Sequence, residues 1–148
     1  MLQLINAHRF LGVRRASLDP LARHAKPEVP ELDPAHYGLT EADMDTTFET
    51  GSLVGSQRLT LREILNQLRQ TYCGSIGAEY MYISDIAQKR WIQERLEGVR
   101  GQADYAPETR RHILQQLTAA ETLERYLHTK YVGQKRFSLE GGDTLIPL

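Results

Sequence analysis

The sequence has a single cysteine, no long apolar run and no excess of basic charge. Cys73 has no second cysteine with which to form a disulfide or a thiolate metal site. No apolar run approaches the ~18 residues of a membrane span, and the N-terminus lacks the features of a secretory signal. Because 18 Lys and Arg face 19 Asp and Glu, the formal net charge of -1 argues against a nucleic-acid platform. These absences predict a soluble, intracellular protein that binds neither nucleic acid nor membrane.

The composition is that of a globular protein, with 41% hydrophobic and 25% charged residues among 148. This length suffices for one domain with a real core. Both ends look incomplete. Helical spacing starts at Leu2 with no cap before it and continues through Ile5, Phe10 and Val13, and an apolar tail closes the sequence at Leu148. The ends therefore predict a fragment of a longer chain.

Capping residues predict where helices begin. Thr60 and Glu63 form a capping box ahead of an apolar helix of about three turns that should stop at Cys73 and a left-handed Gly74. Asp85 caps the next helix, which should run to Gly98. Pro107 opens the longest helix, which ends near residues 131–133. The four X-Pro pairs between residues 19 and 39 predict irregular, extended chain, after which Thr40 caps a short helix and residues 48–56 form a Gly/Ser-rich loop.

Apolar spacing predicts which helix faces are buried. In the helix after Asp85, Trp91 is interpreted as a core anchor that packs between the Thr60 helix and the longest helix. The other residues of that face are Ile86, Ala87, Ile92 and Leu96. The longest helix has an apolar face of about five turns, formed by Ile113, Leu117, Ala120, Leu123 and Leu127. The five histidines lack partners at ligand spacing, so no metal site is expected.

One stretch near the C-terminus has the composition of a functional loop. Gly133 and the pair 141–142 bracket a segment in which cationic, aromatic and hydroxyl side chains alternate, among them Arg136, Phe137 and Ser138. The stretch has no nucleophile paired with a base, no metal spacing and no phosphate loop. Its residues alone therefore leave open whether it is functional or an ordinary linker.

Several long strings resemble the thiamine-dependent, decarboxylating component of bacterial 2-oxoglutarate dehydrogenase. They occur in the same order and span nearly all of the chain. The strings are LQLINA (2–7), LDPL (18–21), LTEAD (39–43), YCGSIGAEYMYI (72–83), KRWIQ (89–93), LTAAE (117–121), LERYL (123–127) and KRFSLEGGD (135–143). One departure is visible, because the family often has Gly-His where this chain has Gly12 and Val13.

The resemblance implies that the full-length, cytoplasmic bacterial enzyme uses thiamine diphosphate and magnesium. It would decarboxylate 2-oxoglutarate, act as a homodimer and pass a succinyl group to the dihydrolipoyl succinyltransferase component. The family's Gly-Asp-Gly signature is missing here, where residues 142–144 are the nearest match, and its catalytic histidines lie downstream. The resemblance thus implies no catalytic, cofactor-binding or metal residue in this fragment, which is expected to bind no cofactor and to be inactive alone.

The predicted fold is mainly α, an irregular helical domain of four to six helices with long Pro- and Gly-containing loops. It precedes a thiamine-binding α/β domain that is absent here. Residues 1–133 would be the helical region, and residues 134–148 a loop and the truncated start of the thiamine domain. Arg136, Phe137 and Ser138 are expected beside the substrate, although Arg136 could instead pair with Glu140 or Glu124. A self-contained helical interaction module without catalytic activity remains the alternative.

Overall fold

The computed structural model describes residues 1–102, 104–133 and 142–148. These residues are mainly helical, as the sequence predicts, and the chain divides into two compact units, Met1–Ala103 and Asp104–Leu148. The four α-helices of the described residues are α1 (Leu2–Leu11), α2 (Leu61–Tyr72), α3 (Ile86–Val99) and α4 (Pro107–Lys130). A small antiparallel sheet consists of β1 (Thr47–Glu49) and β2 (Arg58–Thr60), with Thr47 opposite Thr60.

The predicted helix starts are confirmed. At α2, the Thr60 hydroxyl accepts a hydrogen bond from the Glu63 N–H, and a Glu63 carboxylate oxygen accepts one from the Thr60 N–H at 2.8 Å. At α3, the Asp85 carboxylate accepts from the Gln88 N–H at 3.0 Å. Pro107 is the first residue of α4. Local sequence decides these positions because a cap satisfies N–H groups that have no partner inside the helix.

The segment before α2 differs in part from its prediction. The region of X-Pro pairs is irregular as predicted, but it includes two 3-10 turns, Pro30–Leu32 and Pro34–Tyr37. The helix predicted after Thr40 is a single 3-10 turn, Glu41–Asp43. The sheet was not predicted, because its strands have only three residues each and such short segments show little alternation.

The core of the unit Met1–Ala103 forms where α1 packs on α2. One cluster of buried side chains contains Ile5, Leu53, Ile64, Leu68, Tyr72 and Tyr80, and a second contains Leu4, Leu61 and Leu65. Gly12 lies against the end of α2. A Cβ on Gly12 would be 2.6 Å from the Tyr72 Cβ, so a larger residue would push the two segments apart. This contact gives a packing reason for glycine at position 12.

Burial on α1 follows its apolar spacing only in part, and the buried face predicted for α3 is wrong in part. Leu2 and Phe10 are more than half exposed, while His8 and Arg9 are buried. On α3, Ile86, Ala87 and Trp91 are exposed, although Ile92 and Leu96 pack against the core as predicted. The buried residues of α3 are instead Gln93 and Glu97. Apolar spacing misplaced these faces because the polar side chains find hydrogen-bond partners inside the unit.

Trp91 is therefore not a core anchor. Its side chain is 55% exposed, and the Arg95 guanidinium lies over its ring at 3.6 Å from the ring centroid.

Two helix ends also differ from expectation. The φ angle of Gly74 is not positive, and α3 continues through Gly98 to Val99 before Arg100 takes the left-handed conformation.

In the unit Asp104–Leu148, α4 is 24 residues long and has no buried residue. Four residues of its predicted apolar face are half-buried, and Leu123 is 58% exposed. The helix ends at Lys130, close to the predicted position, and Gly133 has a φ of 86°, as expected for a turn. A 3-10 turn, Asp143–Leu145, follows near the C-terminus.

Candidate functional site

The three residues predicted beside the substrate, Arg136, Phe137 and Ser138, lie outside the described residues. So does Glu140, one of the two acids with which Arg136 could pair. The site in this loop therefore stays a prediction. Within the described residues, the most elaborate polar arrangement lies in the unit Met1–Ala103, and we call it the Arg9 network.

The Arg9 network is built on a buried ion pair between α1 and α3. The Arg9 Nε donates to the Glu97 Oε1 at 2.8 Å, and the two side chains are 2% and 0% exposed. The partners are 88 residues apart in the sequence. Two charges in such a site must be fully hydrogen-bonded, because an unpaired buried charge is costly.

Glu97 accepts two further hydrogen bonds. The Tyr72 hydroxyl donates to Oε1 at 2.7 Å, and the backbone N–H of Val54 donates to Oε2 at 2.9 Å. Tyr72 also shares a hydrogen bond of 2.8 Å with the Tyr80 hydroxyl. The carboxylate thus connects α1, α2, α3 and the connection between β1 and β2 at one buried point.

The other donors of the network hold the connection between the two strands. The Arg9 Nη1 donates to the Ser52 Oγ at 2.9 Å, and Nη2 donates to the Ser52 carbonyl at 3.0 Å. The Gln93 amide donates to the same carbonyl at 2.8 Å, and the Gln67 amide donates to the Val54 carbonyl at 2.7 Å. Together with Glu97, these three side chains fix the irregular connection between β1 and β2 to α1, α2 and α3.

The electrostatics of the Arg9 network keep Arg9 charged and the phenols of Tyr72 and Tyr80 neutral. Burial acts to lower the pKa of Arg9, but the hydrogen bond and charge of Glu97 outweigh it and raise that pKa. Burial, reinforced by the Glu97 charge, raises the pKa of Tyr72, and burial also raises the pKa of Tyr80. Both phenols stay protonated and act as donors near neutral pH.

This arrangement is suited to holding the fold, not to catalysis. Among the described residues, no buried side-chain nitrogen or oxygen lacks a hydrogen-bond partner. A general acid or base needs access to a substrate, and Arg9 and Glu97 are sealed from solvent. The part of the chain that the structure describes also brings together no three His, Cys, Asp or Glu side chains that could bind a metal ion.

Sequence reasoning missed Arg9 and Glu97. A weak indication was present, since Arg9 lies four residues after the apolar Ile5, and Glu97 lies four residues after Gln93, on one face of each helix. Polar residues at such positions are usually solvent-exposed, so spacing alone does not distinguish a buried pair.

No helix of the described residues is long and apolar enough to cross a membrane.

The described residues define a mainly helical protein segment, stabilised by a small core and by the buried hydrogen bonds of the Arg9 network. Curated relatives show which protein family contains such a segment. The chain is 58% identical over 145 residues to the 2-oxoglutarate dehydrogenase E1 component of Cupriavidus necator, which covers 97% of this chain and 15% of that protein. It is 50% identical over 149 residues to the E1 component of Azotobacter vinelandii, covering 100% of this chain and 16% of the relative.

The E1 component of Coxiella burnetii is 47% identical over 145 residues, which are 98% of this chain and 15% of that protein. No family model matches the chain. The chain spans about 15% of the length of the curated relatives it matches. It is homologous to a part of the 2-oxoglutarate dehydrogenase E1 component, and the resemblance predicted from its sequence is confirmed.

Proposed function

We propose that this chain works as part of an E1 component that decarboxylates 2-oxoglutarate and transfers the succinyl group to the dihydrolipoyl succinyltransferase component. The observation that supports this most strongly is 58% identity over 97% of the chain to a protein of that name. In the complete enzyme, thiamine diphosphate with magnesium would supply the electron sink for the decarboxylation. We further propose that the whole enzyme is a homodimer.

The described residues do not fit the cofactor, so we derive no step through it. Magnesium prefers carboxylate and carbonyl oxygens, and no suitable cluster of side chains occurs among these residues. We propose instead that residues 1–133 are a helical region that supports the catalytic domains, and that residues 134–148 lead into the thiamine-binding domain. The closed Arg9 network supports a structural role, because it joins three helices through groups that are already paired.

We propose that Arg136, Phe137 and Ser138 lie beside the substrate in the complete enzyme. The chemical reason is that a guanidinium forms two parallel hydrogen bonds with a carboxylate, and 2-oxoglutarate has two carboxylates. The competing role for Arg136 is a local ion pair with Glu140 or Glu124 that fixes the loop.

A chimera tests the proposed function. The matching segment of the Cupriavidus necator E1 component would be replaced by this chain, and 2-oxoglutarate-dependent activity measured with the other components of the complex. We expect the chimera to dimerise and to keep activity within about tenfold of the parent, because 58% identity preserves most packing positions. A folded chimera without activity would contradict the proposal.

The same chimera separates the two roles of Arg136. Arg136→Lys keeps the charge and loses the paired hydrogen bonds, so a substrate contact predicts a raised KM or a lowered kcat with an unchanged melting temperature. A role in fixing the loop predicts a lowered melting temperature with near-normal kinetics in the folded fraction. Arg58→Lys, on the exposed surface of β2, is the matched control.

The second candidate function is a self-contained helical interaction module without catalytic activity. Exposed apolar side chains on α4 favour it, since Leu114, Leu123 and Tyr126 are each more than half exposed. This alternative predicts that the isolated chain folds and that the chimera is inactive. The E1 proposal predicts an active chimera, and no 2-oxoglutarate decarboxylation by the 148-residue chain alone.

A further inference from the structure

A surface cavity of about 880 Å³ lies in the unit Met1–Ala103, and neither the Arg9 network nor the proposed substrate loop accounts for it. The cavity opens between the end of α1, the last turn of α2 and the segment 26–36. Its volume is within the range of small-molecule sites. Its charged lining residues are Arg15, Lys26, Arg69, Glu28 and Asp33, and His8 and Cys73 also line it.

Among the residues that the structure describes, three basic side chains on the wall of this cavity have no salt-bridge partner. Arg15, Lys26 and Arg69 line it, and none of them is in a salt bridge in the part of the chain that the structure describes. Elsewhere in the same unit, Arg23 pairs with Asp19, and Arg62 pairs with Asp45. The cavity therefore has three positive charges that are not bound in an ion pair with another described residue.

Two of these cations are held in place by hydrogen bonds that leave donors free. The Arg15 Nη1 donates to the Pro27 carbonyl at 3.1 Å, and the Lys26 Nζ donates to the Ser17 hydroxyl at 2.5 Å. A guanidinium has five N–H donors and an ammonium has three, so each keeps donors for a ligand. The backbone N–H of Ser17 also donates to the Gly74 carbonyl at 2.7 Å, which ties this segment to the end of α2.

His8 and Cys73 complete the wall. His8 is 1% exposed, and its Nδ1 donates to the Leu4 carbonyl at 3.0 Å. Burial lowers the pKa of His8, so the ring is neutral near pH 7 and adds no charge. Burial raises the pKa of the Cys73 thiol, whereas the charges of Arg69, Arg15 and Lys26 oppose that rise.

Two acids also lie on the wall, Glu28 and Asp33. The Asp33 carboxylate is engaged, because it accepts a hydrogen bond from the Ala35 N–H at 2.9 Å and caps the turn Pro34–Tyr37. Glu28 is exposed. The three cations outnumber the two acids by one, and a bound anion would meet the negative charges of both Glu28 and Asp33.

We propose that this cavity binds a small organic anion with two negative charges, carried by a phosphate group or by two carboxylates. A planar guanidinium binds both groups through paired hydrogen bonds, and the Lys26 ammonium adds a compact charge. The apolar lining residues Val29 and Leu32 suit the carbon skeleton of such a ligand. The proposed function in the E1 component does not require this site.

The test measures binding of succinate and of inorganic phosphate to the 148-residue chain by titration calorimetry at constant ionic strength. Constant ionic strength is needed because exposed charges are screened by salt. We expect millimolar or tighter binding of at least one of the two anions and no binding of succinamide, which has the shape of succinate without its charges. Comparison of succinate with phosphate identifies which dianion group the cavity takes.

Arg69→Gln should weaken the binding at least about fivefold, because it removes charge-assisted hydrogen bonds at a partly solvated site. Arg58→Gln changes the net charge equally on the exposed strand β2, away from the cavity wall, and should leave the affinity unchanged. Glu28→Gln should tighten binding about two- to threefold, because it removes one of the two opposing charges. Circular dichroism verifies that each variant is folded.

The reactivity of Cys73 gives an independent readout, because the chain has no other cysteine. The anion that binds should slow modification of this thiol by uncharged N-ethylmaleimide, and Arg69→Gln should remove the protection. Absence of binding by both anions would overturn the proposal. Equal affinity of the parent and Arg69→Gln, or equal binding of succinamide and succinate, would overturn it as well.

Discussion

The two units of the chain bury their apolar residues very differently. All the buried hydrophobic residues among those described belong to Met1–Ala103. Side chains of α1 and α2 contribute to both of its apolar clusters, and the buried polar groups of the Arg9 network are hydrogen-bonded to one another. In the unit Asp104–Leu148, the 24-residue α4 has none. Both regions have amphipathic sequence, so amphipathicity alone does not decide which region holds its own core.

The difference lies in what each helix can contact within its own unit. In α2, the apolar face meets α1, and its buried residues include Leu61, Ile64 and Leu68. In α4, Leu114, Leu123 and Tyr126 are more than half exposed. Helix propensity alone gives marginal stability in water, so most of the stability of a helix comes from packing of its apolar face. The free energy of unfolding should therefore be concentrated in the unit Met1–Ala103.

The largest expected effect is that of Glu97→Ala. Removing the carboxylate leaves the Arg9 guanidinium buried without its counter-charge, and such a change typically costs about 3–5 kcal/mol. Urea unfolding followed by circular dichroism measures it. Glu94→Ala is the matched control, because Glu94 is an exposed acid on the same helix, and a similar loss in both variants would mean that the Arg9 network contributes nothing special.

A leucine-to-alanine substitution made once in each unit tests the difference in burial. Leu68→Ala removes a side chain that is 0% exposed and should cost about 2–5 kcal/mol through lost burial and the cavity left behind. Leu123→Ala removes a side chain that is 58% exposed and should cost less than about 0.5 kcal/mol. Equal losses in the two unfolding curves would show that the unit Asp104–Leu148 buries its apolar residues as well.

A smaller effect is expected from the helix caps. Thr60→Ala removes the hydroxyl that accepts from the Glu63 N–H and should cost about 0.5–2 kcal/mol, whereas Thr60→Ser keeps that oxygen. The N-cap of α4 is Ala106, which makes no such bond, so its replacement by glycine should change stability only slightly. If Thr60→Ala unfolds at the same urea concentration as Thr60→Ser, the cap does not support α2.

A small effect is expected at Trp91. Its ring is 55% exposed and contacts the Arg95 guanidinium, and an exposed contact of this kind contributes about 0.5–1 kcal/mol. Trp91→Ala should therefore shift the urea midpoint little, and Arg95→Ala by a similar amount. A loss near that of Leu68→Ala would restore the core role that apolar spacing predicted for this residue.

The sequence predicted the parts of the fold that depend on neighbouring residues. Thr60, Asp85 and Pro107 mark helix starts because each acts on backbone groups within one turn. The buried faces of α1 and α3 depend on partners 88 residues apart, Arg9 and Glu97, and no local pattern reveals such a pair. For the same reason the three cations of the cavity, which come from separate segments, could not be grouped beforehand.

Amide hydrogen exchange of the 148-residue chain tests the comparison most directly. Exchange of amides in a packed helix requires unfolding of its unit, whereas a helix without a buried face opens locally. We predict that the central amides of α2 exchange at least about 100-fold more slowly than those of α4, and that Glu97→Ala reduces the protection of α2 but not that of α4. Equal protection of α2 and α4 in the parent chain would contradict it.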